Sequence, residues 1–169
     1  MPSRDFEVPD LDGKRHAPLL SDGRSCTVLV FIATDCPIAN AYVPELREIA
    51  TLHGADPIRL YLVHSDPALD LEAARVHASA FRLPGTVLLD QEQRALRAAG
   101  ATTTPEAVVY DRRGMLTYRG RIDDWYADLG VKRQAATTHE LRDAIAAALR
   151  GEEPAVRHKE PVGCLIALR

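Results

Sequence analysis

Cysteine is scarce in this chain, with three residues at positions 26, 36 and 164 of 169. So few, so far apart, exclude a disulfide scaffold and a structural zinc site, and one pair plus one bystander is the natural count. Basic residues are not in excess: 21 Lys and Arg are interspersed with 24 Asp and Glu, which argues against a nucleic-acid surface. No apolar run approaches bilayer length, so no membrane span is expected. The opening MPSRDFEVPDLDGKRH lacks the apolar core of a signal peptide, and the chain is expected in the cytoplasm. Internal repeats and low-complexity tracts are also missing, while the length is enough for a hydrophobic core without staples.

What is present centres on Cys36, in the run TVLVFIATDCPIANAYVPELREIA. Val28–Ala33 is continuously apolar and rich in β-branched residues, the pattern of a strand covered on both faces. Pro37 fits a first helical turn, where its missing N–H costs nothing. Ile38, Tyr42, Leu46, Ile49 and Leu52 then recur at helical spacing and predict one buried face. Cys36 therefore falls near the N-cap. There the free backbone N–H groups and the positive end of the helix dipole favour a thiolate, the nucleophilic and metal-ligating form of cysteine.

Further along, Ile58–His64 predicts a second strand parallel to the first, 70–81 a helix with Leu71, Ala74, Ala78 and Phe81 inward, and Thr86–Leu89 a short strand. Residues 91–99 predict a short helix with Gly100 as its C-cap. Ala107–Tyr110 and Met115–Arg119 flank the turn Asp111-Arg112-Arg113-Gly114 and predict an antiparallel hairpin, which makes the sheet mixed. A last helix is expected from Thr137 or Thr138, where Thr137 and Glu140 have capping-box spacing, to Gly151. Residues 1–150 thus form the expected domain, and 151–169 an extended arm carrying Cys164.

Three segments carry a resemblance: FEVPDLDGKRHAPL, VFIATDCPIANAYVPEL and GATTTPEAVVYDRRGMLTYRGRID. Together they are similar to the redoxin branch of the thioredoxin fold, which includes AhpC/TSA-type and TlpA-like thiol proteins. The resemblance implies a three-layer α/β/α architecture around a mixed sheet, with no cofactor. It also implies that Pro105 is a cis-proline facing the active-site sulfur and that Pro44 kinks the active-site helix by freeing the Asn40 carbonyl. Two departures stand out. Ala39 replaces the second cysteine of a Cys-x-x-Cys motif, and Ala33 and Leu29 stand where a peroxiredoxin has Thr or Ser and Pro.

Sites in open α/β sheets form at the carboxyl ends of the parallel strands. That edge should gather Cys36, His64, Ser65, Asp66, Pro105 and the arginines of RGRIDD. Cys36 is expected as the redox nucleophile, Arg121 as the cation supporting its thiolate, and Thr104, Pro105 and Asn40 as the substrate-facing positions. Cys164, in the apolar pentamer VGCLI, is the candidate resolving thiol if the arm docks. Asp35 should oppose ionisation of its neighbour, Cys26 is expected to be a bystander, and Trp125 and Tyr126 should pack the last helix onto the sheet.

The expected activity is thiol-dependent oxidoreduction of a peroxide or a protein disulfide, with a thiol reductant or a protein disulfide as partner and a homodimer compatible with the sequence. The alternative is a non-catalytic binding module, for example one holding Cu(I) through Cys36, Cys164 and a histidine from among His64, His139 and His158.

Overall fold

The computed structural model describes residues 4–169. The chain opens with β1 (Val8–Pro9) and β2 (Arg15–His16), a small antiparallel pair. Its turn is tied by the Asp10 carboxylate, which accepts from the N–H groups of Asp12 and Lys14, and Gly13 supplies the left-handed backbone at φ 85°. β3 (Cys26–Ile32) follows, then α1 (Pro37–Ala41) and α2 (Val43–Leu52), β4 (Ile58–His64), α3 (Leu71–Phe81), β5 (Thr86–Leu89) and α4 (Arg94–Ala99). The second half holds β6 (Thr103–Thr104), β7 (Glu106–Tyr110), β8 (Leu116–Gly120), the short pair β9 (Tyr126–Asp128) and β10 (Val131–Lys132), and α5 (Glu140–Leu149). The tail contributes β11 (His158–Lys159) and β12 (Cys164–Leu165).

Six strands form one mixed sheet in the order β11-β8-β7-β3-β4-β5. β3, β4 and β5 are parallel, β7 runs antiparallel to both β3 and β8, and β11 is parallel to β8. Every residue of β3 is buried because successive side chains alternate between two covered faces. Val28, Val30 and Ile32 meet Leu46 and Ile49 of α2 and Leu141 and Ile145 of α5. Leu29 and Phe31 meet Phe6, Val8 and Leu96 of α4 on the other side. The result is the expected three-layer thioredoxin-like α/β/α arrangement.

Several predicted boundaries shift. The helix breaks at Tyr42 between α1 and α2, two residues before Pro44, which cannot donate to the Asn40 carbonyl. Leu52 is exposed at the frayed end of α2. α4 starts at Arg94, later than residue 91, because Asp90 draws the Arg94, Ala95 and Leu96 amides onto its carboxylate. α5 starts at Glu140, after the predicted Thr137–Glu140 capping box. The Thr137 hydroxyl and amide are bound to Asp124, and Thr138 donates to Glu140. At its other end the helix stops at Leu149 with Arg150 as C-cap, and Gly151 follows at φ 72°. On α3, Ala74 is buried and Ala78 partly buried as expected, while Leu71 and Phe81 are partly exposed and His77 is buried beside Ala74.

Candidate functional site

β3 delivers the chain to the carboxyl edge of the sheet, and the loop 33–35 hands it to α1. Cys36 is the N-cap: its backbone is extended, and its Sγ accepts from the Ala39 N–H at 3.4 Å. The sulfur is buried, with the residue 1% exposed, and in the thiol form it donates to the Thr104 carbonyl at 3.1 Å. The Thr104–Pro105 peptide bond is cis. Behind it, the carboxylate of Glu106 accepts from the N–H groups of Thr102 (2.7 Å) and Thr103 (3.2 Å) and lies 3.6 Å from the Arg119 Nε. This buried acid holds the segment that carries the Thr104 carbonyl. Glu106→Gln keeps one acceptor but loses the charge that strengthens these bonds. It is expected to lower unfolding stability by about 1–2 kcal/mol, measured by urea denaturation.

The tail is more than an extended arm. β11 pairs with β8 and becomes the edge strand of the sheet, His158 opposite Arg119, and β12 pairs antiparallel with β6, setting Cys164 opposite Thr104. From there the Cys164 thiol and backbone N–H both act on the ionisation of Cys36. A cleft of about 290 Å³ lies between the arm and the sheet edge, lined by Asp35, Ser65, Asp66, Thr104, Cys164 and Ile166 among others.

The two thiols are electrostatically unequal. Burial raises the Cys36 thiol, and its bond to the Thr104 carbonyl also favours the protonated form. The Thr104 hydroxyl, the Cys164 thiol, and the Ala39 and Cys164 amides outweigh them and hold Cys36 below the ordinary thiol value. Cys164 moves the other way, to about 11, through its hydrogen bond to Cys36, then desolvation, then the negative charges of Cys36 and Asp35. Asp35, expected to act against its neighbour, thus weighs on Cys164. Cys26 sits at the far end of β3, away from the site, buried and raised to about 11 by desolvation.

Arg121, expected to support the Cys36 thiolate, is engaged elsewhere. Its guanidinium is bound to Glu140 (Nε to Oε1, 3.0 Å) and to the Thr138 hydroxyl, so its charge is matched at the start of α5, and the interactions lowering Cys36 come from neutral donors. Asn40, expected to face a substrate, bridges elements instead: its Nδ2 donates to the Thr34 carbonyl and its Oδ1 meets His77 Nε2 at 2.8 Å. His77 Nδ1 lies 3.3 Å from Nε2 of His64, which ends β4. The Cu(I) arrangement does not form. Among the described residues the one group with metal-ligating spacing is Glu45, Asp123 and His139, which contains neither sulfur. Within that group Glu45 is paired with Arg142, and Asp123 accepts from the Tyr42 hydroxyl. Trp125 packs edge-on and Tyr126 tilted against Tyr42, between α1 and α2, and both are partly buried against the core on that side of the sheet.

Three residues important to this site escaped the sequence reading: Glu106, Gln93 and His77. Glu106 and Gln93 look like surface residues in sequence, and only their burial against backbone groups distinguishes them. His77 had one available signal, its spacing from Ala74 on α3.

A cysteine capping the first core helix, opposite a cis-proline segment at the carboxyl edge of a mixed sheet, defines a thioredoxin-fold redoxin. The AhpC/TSA family profile matches residues 2–119, and the chain belongs to that family. Among solved structures it is similar to a hypothetical protein from Sinorhizobium meliloti, with 26% identity over 95% of this chain and 89% of that one, at a TM-score of 0.80. It is also similar to an uncharacterized conserved protein from Geobacillus kaustophilus, with 24% identity, coverage of 97% and 88%, and a TM-score of 0.79. A secreted Mycobacterium tuberculosis disulfide oxidoreductase, homologous to E. coli DsbE, shares the fold at 19% identity, coverage of 88% and 96%, and a TM-score of 0.59. No curated protein sequence matches the chain. No helix of the described residues is long and apolar enough to cross a membrane.

Proposed function

We propose that the protein is a thiol–disulfide oxidoreductase in which Cys36 attacks a disulfide of a client protein and Cys164 resolves the mixed disulfide. The observation that carries this reading is the pairing of β12 with β6, which sets Cys164 opposite Thr104, the residue whose carbonyl meets the Cys36 sulfur. Reduction of a protein disulfide is favoured over reduction of a peroxide for two reasons. Ala33 and Leu29 stand where a peroxide site of this family has its polar residue and its proline. In addition, Arg121 faces Glu140. The likeness to a disulfide oxidoreductase points the same way.

The inequality of the thiols orders the steps. Cys36 thiolate attacks one client sulfur. The client S–S bond breaks, a Cys36–client disulfide forms, and the leaving thiolate takes up a proton. Cys36 is then neutral, so two of the influences that hold Cys164 up, its hydrogen bond to Cys36 and the charge of Cys36, are removed. Cys164 ionises and attacks the Cys36 sulfur, and the second client thiolate leaves and is protonated. The client disulfide has gained two electrons, the protein's dithiol has become a Cys36–Cys164 disulfide, and an external thiol reductant must restore it.

Peptide mapping of protein oxidised stoichiometrically by a small aromatic disulfide tests this. Recovery of a Cys36–Cys164 peptide, with Cys26 unmodified, is the expected result. Recovery of Cys36 solely as the reagent adduct or as an oxyacid would overturn the two-cysteine mechanism.

A further inference from the structure

On the reading that Cys164 resolves Cys36, the register of β12 on β6 decides whether the reaction can occur. Side chains alternate along a strand, so a slip of one residue would turn the Cys164 sulfur away from Cys36. Apolar packing supplies little of that register. Leu165 is 86% exposed and Cys164 is itself exposed, while Ile166 and Val162 are the partly buried apolar contacts of this stretch with the core. A strand so lightly packed needs another device.

We propose that Gly163 and Gln93 are the positioning residues that fix Cys164 in register with Cys36. Gly163 acts by exclusion. A Cβ at this position would overlap the Thr104 carbonyl oxygen and lie 2.7 Å from the carbonyl carbon and 3.2 Å from Pro105 Cδ, backbone and ring atoms that cannot turn aside. A slip of one residue in either direction brings Val162 or Cys164, each with a Cβ, onto that carbonyl. The close approach therefore admits one alignment, with glycine at 163 and cysteine at 164 opposite Thr104.

Gln93 acts by attraction at the far side of the cysteine. Its side chain is fully buried although it stands in a left-handed turn at φ 56°, before α4. Its Nε2 donates to the Ser65 carbonyl at 2.9 Å, fixing the amide to the end of β4, and to the Ala167 carbonyl at 2.8 Å. Its Oε1 accepts from the Arg169 N–H at 2.8 Å. The amide thus reads a carbonyl and an N–H two residues apart on the segment that follows β12, as a neighbouring strand would, just beyond the bond from the Ile166 N–H to the Thr102 carbonyl. Cys164 lies between the steric stop and this latch.

The test uses full-length Gly163→Ala, Gln93→Ala and Leu165→Ala, with glutathione as the redox probe. The equilibrium between the Cys36–Cys164 disulfide and the Cys36–glutathione adduct measures how well Cys164 is presented, and a merely structural loss of stability would not shift it. Gly163→Ala and Gln93→Ala are expected to move it toward the adduct roughly 10²-fold, the scale on which a tethered partner loses its effective concentration. Alkylation of Cys36 should accelerate in both as the arm ceases to cover it. Leu165→Ala, on the same strand but exposed, should stay within about twofold of wild type. A wild-type equilibrium in either variant removes that residue's role, and an equal shift in Leu165→Ala overturns the assignment to register. If wild type itself forms only the adduct, the resolving role of Cys164 fails, an outcome distinct from a failure of positioning.

Discussion

Cys164→Ser is expected to leave the first turnover of client disulfide reduction intact while lowering the steady-state rate by roughly 10²-fold or more, as an intramolecular step at millimolar effective concentration is replaced by attack from micromolar external thiol. The substitution suits the question because serine keeps a hydroxyl that can donate to the Cys36 sulfur as the Cys164 thiol does. Ionisation of Cys36 should therefore persist, and so should its attack. What serine lacks is nucleophilicity toward the mixed disulfide. Rapid-quench mass spectrometry with a disulfide-bonded protein client and low external thiol should show a stoichiometric Cys36–client adduct in the variant and its absence in wild type. Cys36→Ser should remove both phases. Wild-type turnover by Cys164→Ser without an adduct would mean that the two sulfurs are neighbours without being partners.

The sequence exposed the parts of this arrangement that depend on neighbours in the chain. Cys36 could be placed at the N-cap because an apolar strand, Pro37 and a helical repeat surround it, and the cap geometry follows from those local signals. Strand β3 was readable because burial on both faces leaves a continuous apolar run. The arm was half legible. Its apolar pentamer wanted a surface, but no local signal says that β11 adds to the sheet beside β8 before β12 crosses to β6. Those pairings rest on close backbone approach, at Gly120 against Lys159 and at Gly163 against Thr104, and a glycine's tolerance for contact is visible only once the contact exists. The engagement of Arg121 is hidden in the sequence for a related reason. It lies just beyond β8, and its guanidinium pairs with Glu140 at the start of α5. Long-range polar pairing of this kind, like the hold of Glu106 on Thr102 and Thr103, leaves no period in the sequence.

The second large effect concerns acid. Lowering the pH from 7 to 5 is expected to destabilise the protein by about 2 kcal/mol through His64, approaching about 3 kcal/mol near pH 4. His64 is 1% exposed at the end of β4, and burial, followed by the proximity of His77, holds its imidazole down to about 4, with Asp66 acting weakly in the opposite direction. The sign follows from the comparison with the unfolded chain, where a histidine titrates near 6.5. Above that value both states carry the neutral ring and nothing is lost. Between about 6.5 and 4 the unfolded state takes up a proton that the folded state refuses, so stability falls with pH. His77, also lowered by burial, adds in the same direction. The paired carboxylates of Asp111, Asp124 and Glu140, held below their ordinary values, lose their contribution mainly at lower pH, beneath the histidine window. Asp90 and Asp123, raised chiefly by burial, work the other way and gain as pH falls, so they blunt the loss near its lower end. The histidine part is separated by His64→Gln, which keeps a polar group facing His77 and cannot titrate. Urea unfolding of both proteins at pH 7 and 5 should show the variant losing about 2 kcal/mol less than wild type over that interval. Equal losses would place the acid sensitivity elsewhere and show that the buried His64–His77 pair accepts a proton without strain on the fold. The pair reaches the site through Asn40, which His77 holds and which in turn holds the Thr34 carbonyl two residues before Cys36. Protonation that disrupts it should therefore loosen the loop at the nucleophile before the whole domain unfolds, and Cys36 alkylation should begin to accelerate at a higher pH than the global transition.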